Sequence, residues 1–143
     1  MVIPDANILI YSHNPGSPHH SAAVAWLNRQ FESSTLGFTW PTCWAFLRIA
    51  SNPRLFARPA SPEQLFDRLE EWLSHPAAAF INPGSRHAEI LRRLVLDTGI
   101  AGTLISDAVL AAVAIEHAAT LASTDRDFRR FSGLRWIDPL DQA

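Results

Sequence analysis

The chain has 143 residues, of which 48% are hydrophobic, and a formal net charge of −2. Its length is typical of one domain that buries a substantial core, and its composition excludes an intrinsically disordered chain. The longest apolar run, residues 108–115, is far too short to span a membrane, and the weak net charge gives no reason by itself to expect nucleic acid.

Two further compositional features bound the function. Cys43 is the single cysteine, which excludes an internal disulfide and, with an N-terminus that lacks a basic secretory segment, favours a cytoplasmic protein. All twelve basic residues are arginines. Without a lysine the chain cannot be a P-loop enzyme, because that site uses a lysine on the phosphates.

Hydrophobic periodicity and turn residues predict the element order β-α-α-β-α-α-β-α-α-β-α-β. The predicted strands lie at residues 1–4, 35–40, 78–81, 120–123 and 134–137. Serine-proline starts predict a helix over residues 19–31 capped by Ser17, and another that begins at Ser61, with Gln64 three residues later. Further helices are predicted directly after Asp5, over residues 42–50 after a strand ended by Pro41, around residues 90–95, and over residues 107–114.

This alternation predicts an α/β fold with one mostly parallel central sheet and helices on both faces. No repeat, low-complexity tract or linker divides the chain. We therefore expect a single domain over residues 1–143.

Acidic residues recur where predicted strands give way to helices. Asp5 follows the first strand, Asp107 opens an alanine-rich helix, and Asp125 and Asp127 follow the fourth strand. Parallel strands bring such turns together at the sheet edge where ligands bind. Carboxylates gathered there repel one another unless a cation neutralises them, so we expect Asp5, Asp107 and Asp127 to converge on a shared divalent cation. The alternative for each acid is helix or turn capping.

The other candidate side chains have simpler interpretations. His13, His19 and His20 lie in a segment that is expected to be solvated, and the remaining histidines follow no metal-ligand spacing. Cys43 is predicted to be a packed apolar residue and not a nucleophile. The tryptophans at positions 26, 40, 44, 72 and 136 are predicted to occupy core positions and not to form a base-stacking platform. The arginines at positions 126, 129 and 130 are expected on a solvated face, with phosphate contact as the alternative if the nearby acids hold a metal.

Several motifs, taken together and in this order, resemble those of the PIN-domain ribonucleases, specifically toxins of the VapC type from bacterial toxin–antitoxin pairs. The resemblance spans nearly the whole chain. The motifs are Asp5-Ala6-Asn7, Ala45-Phe46-Leu47-Arg48 followed by Asn52-Pro53, Asp107-Ala108, Ser123-Thr124-Asp125-Arg126-Asp127-Phe128 and Gly133-Leu134-Arg135-Trp136.

The resemblance implies a PIN-like α/β/α sandwich that cleaves single-stranded RNA with Mg²⁺ or Mn²⁺. It also implies inhibition by a cognate antitoxin protein and assembly as a homodimer. By position, it implies that Asp5 and Asp107 are the principal metal ligands, and that Asp127 is the acid of the last motif, with Asp125 beside it. The side chains expected to orient ligands or water, or to contact the RNA backbone, are Asn7, Thr124 and Arg126.

One position departs from the resembled family. Many members carry a glutamate where this chain has Ala45, and no acid lies between Ser33 and Pro62. Asp125 is the candidate for compensation; the alternatives are one well-held metal with a second recruited only with RNA, and reduced or lost activity. The rival function is a binding module that sequesters an antitoxin or RNA without cutting it. Phosphoryl transfer on an aspartyl nucleophile, as in haloacid-dehalogenase-like phosphatases, fits poorly because those enzymes normally use a lysine.

Overall fold

The computed structural model describes residues 1–141, in which strands and helices follow one another in the predicted order. The strands are Val2–Pro4 (β1), Leu36–Phe38 (β2), Ala78–Phe80 (β3), Thr120–Ala122 (β4) and Arg135–Ile137 (β5). The helices are Ala6–His13 (α1), His20–Ser33 (α2), Trp40–Ala50 (α3), Pro62–Leu73 (α4), His87–Thr98 (α5) and Leu104–Glu116 (α6), and a 3-10 helix over Arg126–Arg130 lies between β4 and β5.

All five strands are parallel and lie in the order β3-β2-β1-β4-β5. The chain builds the sheet from β1 outward to β3, and then crosses to the other side of β1 for β4 and β5. The direction of building therefore reverses beside β1, with Val2 paired to Leu36 on one side and to Thr120 on the other. In open α/β sheets, ligands bind at the carboxyl ends of the strands that flank such a reversal.

Helices cover both faces of the sheet, as predicted. The first four helices pack over one face around a core that includes Leu36 and Phe46, and α5 and α6 pack over the other face around Ile3 and Leu121. Adjacent residues of a strand point to opposite faces, so Leu121 lies in one core and Ala122 in the other. Burial of each large apolar side chain contributes roughly 1.5–3 kcal/mol, which holds the short strands in place.

The predicted helix start at Ser61 is confirmed. Ser61 Oγ accepts the backbone N–H of Gln64 at 3.2 Å, and Gln64 Oε1 accepts that of Ser61 at 3.0 Å. The two residues form the reciprocal capping box that the sequence predicts. Within residues 1–141, no helix is both long and apolar enough to cross a bilayer.

The predicted cap of α2 is wrong. The helix begins at His20, and Ser17 lies ahead of it. Ser17 Oγ accepts the backbone N–H of His19 at 3.1 Å, so the serine closes a turn before the helix instead of capping the helix itself.

The predicted boundary between β2 and α3 is also wrong. The strand ends at Phe38, and the helix begins at Trp40 because Thr39 caps it, with Thr39 Oγ1 accepting the backbone N–H of Thr42 at 3.3 Å. Pro41 therefore lies in the first turn of α3, where the N–H that proline lacks has no helical partner to lose.

Candidate functional site

The end of β1 places Asp5 at the point where the sheet reverses. The Asp5 backbone N–H donates to Ala122 O of β4 at 2.9 Å, which ties the ends of the two strands together. Asp5 Oδ1 accepts the N–H of Ala6 at 2.7 Å, and Oδ2 accepts the hydroxyl of Ser123 at 2.7 Å. Asp5 is therefore a helix cap, as the capping alternative predicts, and at the same time a carboxylate at the carboxyl edge of the sheet.

Ser123 links the polar groups at the ends of β1 and β4. Its fully buried hydroxyl donates to Asp5 Oδ2 and accepts from Asn7 Nδ2 at 3.1 Å and from the backbone N–H of Asp125 at 3.0 Å. One donor and two acceptor positions are all that a hydroxyl offers, so its capacity is filled. Sequence reasoning did not select Ser123 as a site residue, although a small polar residue directly after a buried apolar strand was the available signal.

Asn7 is held by both of its neighbours across the strand ends. Its Nδ2 donates to Ser123 Oγ and, at 3.0 Å, to Thr124 Oγ1. Asn7 Oδ1 is buried without a hydrogen-bond partner among the described residues. A buried carbonyl oxygen of this kind is normally satisfied by a donor, an ordered water or an ion.

The 3-10 helix after β4 positions the remaining acids. Asp125 Oδ1 accepts the backbone N–H of Asp127 at 2.9 Å and so caps this helix. Asp127 is exposed and pairs with Arg130, with 3.3 Å between Asp127 Oδ1 and Arg130 Nη2. Arg126 pairs with Asp141 at 3.6 Å between Nη2 and Oδ2.

Asp107 occupies a different position in its helix from the one predicted. Because α6 begins at Leu104 and follows α5, Asp107 lies in the first turn of the helix, neither at its cap nor at a strand-to-helix turn. The prediction of three strand-to-helix turns that each present an acid is therefore wrong for Asp107.

The acids perturb one another. Burial, and then the charges of Asp125, Asp5 and Asp127, raise the pKa of Asp107 to about 6, while Arg130 opposes the rise. A rise of this kind is expected where like charges share a partly buried site. The structure therefore brings the four predicted carboxylates into one electrostatic neighbourhood, in which Asp125 acts more strongly on Asp107 than Asp127 does.

The pKa of Asp5 is also raised by burial and by a neighbouring acid. Burial raises the pKa of its carboxyl above the ordinary value, the hydrogen bonds from Ser123 and Ala6 oppose that rise, and the charge of Asp125 adds to it. Asp125 is thus the acid whose charge acts on both Asp5 and Asp107, which makes it the stronger candidate of the adjacent pair for sharing a cation with them.

The donor set suits a hard divalent cation. Carboxylates at one sheet edge and the unpartnered Asn7 Oδ1 are the oxygen ligands that Mg²⁺ and Mn²⁺ prefer. Within residues 1–141, no three His, Cys, Asp or Glu side chains stand in an arrangement that holds a metal by itself. Mg²⁺ usually takes one or two carboxylates and completes its octahedron with waters and substrate phosphate, so the residues fit an ion that binds together with its substrate.

Ala45 lies on α3, half-buried against the core of the α1–α4 face. This helix also contacts α6, which carries Asp107. The place where the family resemblance implies a glutamate is therefore apolar in this chain, and compensation by Asp125 stays a prediction.

The prediction for the tryptophans is confirmed for some of them and wrong for others. Trp26 and Trp72 are buried, and half-buried Trp136 donates from Nε1 to Ser123 O at 3.1 Å. Trp40 and Trp44, however, are 46% and 61% exposed. They lie on the outer side of α3, away from the core that the helix buries.

Cys43 is packed as predicted. It is fully buried, and burial raises the pKa of its thiol to about 11, so the thiol stays protonated at neutral pH. This is the environment of an inert structural cysteine.

Comparisons with known proteins identify the family of this chain. The profile of the PIN domain family matches residues 2–134. Among curated proteins, the chain is 41% identical over 140 residues to Ribonuclease VapC37 of Mycobacterium tuberculosis, covering 97% of both, and 40% identical over 141 residues to Ribonuclease VapC33 of the same species, covering 98% of this chain and 99% of the relative.

Solved structures share the fold at low sequence identity. The toxin–antitoxin complex VapBC2 from Rickettsia felis, bound to a promoter DNA fragment, superposes with a TM-score of 0.71 at 20% identity over 96% of this chain and 98% of that one. VapC20 from Mycobacterium tuberculosis, a toxin that cleaves the sarcin-ricin loop, superposes with a TM-score of 0.66 at 14% identity over 94% and 99% of the two chains.

Proposed function

The chain belongs to the PIN-domain family, and from that premise we propose that it is the ribonuclease toxin of a toxin–antitoxin pair, cleaving single-stranded RNA with Mg²⁺ or Mn²⁺. The single observation that carries the proposal is the grouping of four carboxylates: Asp5 and the pair Asp125 and Asp127 follow the two strands that flank the reversal point, and their charges, together with burial, raise the pKa of Asp107 on α6 to about 6. We propose that residues 1–143 form the one domain that carries this activity. We also propose that the protein acts in the cytoplasm.

We propose that the carboxylates of Asp5, Asp107, Asp125 and Asp127 would hold the cation together with the substrate. The chemistry that it supplies there is activation of a water and neutralisation of charge that develops on the phosphodiester. Ser123 fixes the Asp5 carboxylate through the 2.7 Å hydrogen bond and holds the Asp125 backbone in the same network. Such outer hydrogen bonds orient carboxylates for a metal.

We propose that the polar and basic side chains next to the acids bind and orient the substrate. Asn7 and Thr124 form a polar pair at the site, with the unpartnered Asn7 Oδ1 available to a water or an ion. Arg126 and Arg130 lie on the exposed 3-10 helix next to the acids, and arginine forks bind phosphate oxygens bidentately. We propose that they contact the RNA backbone once it occupies the site.

The partners follow from the relatives. Several solved structures with this fold are toxin–antitoxin complexes, which supports a cognate antitoxin protein as the partner of this chain. We also propose a homodimer as the active assembly. Light scattering on the purified protein, alone and with its antitoxin, measures both assemblies.

The experiment that tests the proposed function is cleavage of a single-stranded RNA by the purified protein. We expect cleavage in Mn²⁺ or Mg²⁺, none in EDTA, and a loss of roughly 100-fold or more for Asp107→Asn. Asp67→Asn, which removes an exposed acid from α4, is the matched control and should cleave like the wild type. Equal cleavage by Asp107→Asn and the wild type would refute the assignment, and RNA binding without cleavage would support the binding-module alternative.

A further inference from the structure

Three aromatic rings form an exposed cluster on one side of the sheet edge. Trp40 and Trp44 are stacked with centroids 6.1 Å apart and planes 24° apart, and Phe80 meets Trp40 edge-on at 4.9 Å. Their exposed fractions are 46%, 61% and 38%. Apolar rings are normally drawn into the core, so a group of this kind at the surface indicates a binding surface.

The cluster shares the edge that carries the acids. Trp40 opens α3 one residue after β2 ends, and Phe80 ends β3. Because all the strands are parallel, their carboxyl ends lie at the same edge as Asp5. Helices α3 and α6 cover opposite faces of the sheet and yet contact each other, so they meet beyond the strand ends, where α6 carries Asp107.

The residue that continues the aromatic stripe along α3 is an arginine. Arg48 is exposed and follows Trp44 by four residues, as Trp44 follows Trp40, so the three side chains form one stripe along α3. Residues 34–61 contain no acid, and their charged side chains are the arginines at positions 48, 54 and 58. A stripe of two indoles followed by a guanidinium complements a ligand that has flat apolar rings and a phosphate backbone.

We propose that Trp40, Trp44 and Phe80 form a stacking platform for unpaired bases of the RNA, with Arg48 on the adjoining phosphate. This inference rests on the proposed ribonuclease function and names where the substrate strand runs. At 6.1 Å the two indoles already stack on each other, so a base adds to the exposed outer face of Trp44 and does not insert between them. Paired bases have no free face to offer, so the platform selects single-stranded RNA.

The test is binding of a fluorescently labelled, unstructured RNA, measured by anisotropy in EDTA so that no cleavage takes place. Trp44→Leu keeps an apolar side chain without a ring and should weaken binding roughly 10-fold, whereas Trp44→Phe should retain most of the affinity. Arg48→Gln should reduce the dependence of binding on salt. Phe66→Leu, which removes a ring from α4 that is 52% exposed, is the matched control and should bind like the wild type.

Two results would overturn the platform. One is unchanged RNA affinity for Trp44→Leu with a native circular dichroism spectrum. The other is conversion of a dimer to a monomer by Trp44→Leu, measured by light scattering, which would make the cluster an interface between two copies of the chain.

Measuring cleavage in Mn²⁺ separately from binding in EDTA distinguishes failure of the platform from failure of the proposed ribonuclease function. Asp107→Asn should abolish cleavage in Mn²⁺ without weakening binding in EDTA, because it removes a negative charge and none of the rings. If the wild type cleaves RNA and Trp44→Leu binds it equally well, the platform fails and the ribonuclease stands. If the wild type cleaves no RNA, the ribonuclease fails, and the binding assay still decides whether the rings hold RNA.

Discussion

The buried hydroxyl of Ser123 offers a sharp test of how the site is built. Ser123→Ala removes one hydrogen bond to a carboxylate and two that the hydroxyl accepts, from Asn7 Nδ2 and from the Asp125 backbone. Asn7 keeps its bond to Thr124, but the Asp125 N–H loses its partner. A hydrogen bond to a charged group contributes about 1.5–3 kcal/mol. Leaving the partly buried Asp125 N–H without a partner costs about 1–3 kcal/mol more, and a water that binds to this N–H offsets part of that cost.

We therefore expect Ser123→Ala to lower the free energy of unfolding by about 2–3 kcal/mol, which corresponds to a fall in Tm of roughly 6–10 °C for a chain of this size. Urea denaturation of the metal-free protein at neutral pH measures the change. Ser33→Ala is the control, because its hydroxyl donates to Arg29 O at 2.7 Å at an exposed helix end, and it should stay within about 0.5 kcal/mol of the wild type.

The same substitution should shift the titration of Asp5. The Ser123 hydrogen bond lowers the pKa of this carboxyl, so its loss should raise the pKa further above the ordinary value. NMR titration of the carboxyl carbon measures the shift. If Ser123→Ala leaves both the unfolding free energy and the Asp5 titration unchanged, Ser123 does not hold the site together.

Three further predictions concern other parts of the chain. The pKa of Asp107 is raised from 3.8 to about 6. The contribution of this carboxyl to stability is therefore complete below pH 3.8 and is lost as the pH rises through about 6. Asp107→Asn should raise the Tm of the metal-free protein at pH 8 and hardly change it at pH 4. Glu116 accepts the backbone N–H groups of Gly84 and Arg86, and these hydrogen bonds lower its pKa. The stability that the ionised carboxylate contributes is therefore present at neutral pH and is lost as the pH falls through the lowered pKa. Glu116→Gln should speed hydrogen exchange at those two amides at pH 7 but not in acid. Ser61→Ala should cost about 1 kcal/mol in urea denaturation through loss of the α4 cap, and an unchanged midpoint would contradict the capping box.

Much of the fold was predictable because local signals agree with it. Short apolar runs bounded by proline, glycine and serine indicate the strands, and Ser61 with Gln64 gives the start of α4. The errors at α2 and α3 arise where more than one residue near the helix start is able to accept a backbone N–H. Thr39 and Thr42 are both able to cap a helix, and only the packing of the strand decides between them.

The acidic site was predictable in its residues but not in its connections. Ser123 meets Asp5 and Asn7 across separations of 118 and 116 residues, and that meeting depends on the pairing of β1 with β4. The sequence also could not rank Asp125 against Asp127, because both lie in one turn and the strength with which each charge acts on Asp107 depends on the folded geometry. The exposed stripe of Trp40 and Trp44 was missed because tryptophan is usually buried, although the spacing to Arg48 indicated an outward face.

The most direct test of the central claim is titration of Mn²⁺ into the protein by calorimetry, in the presence and absence of a single-stranded RNA analogue that resists cleavage. The account predicts uptake by the wild type and by Asp67→Asn, strengthened by RNA, and at least roughly tenfold weaker uptake by Asp107→Asn. No uptake of Mn²⁺ by the wild type, even with RNA bound, would contradict it.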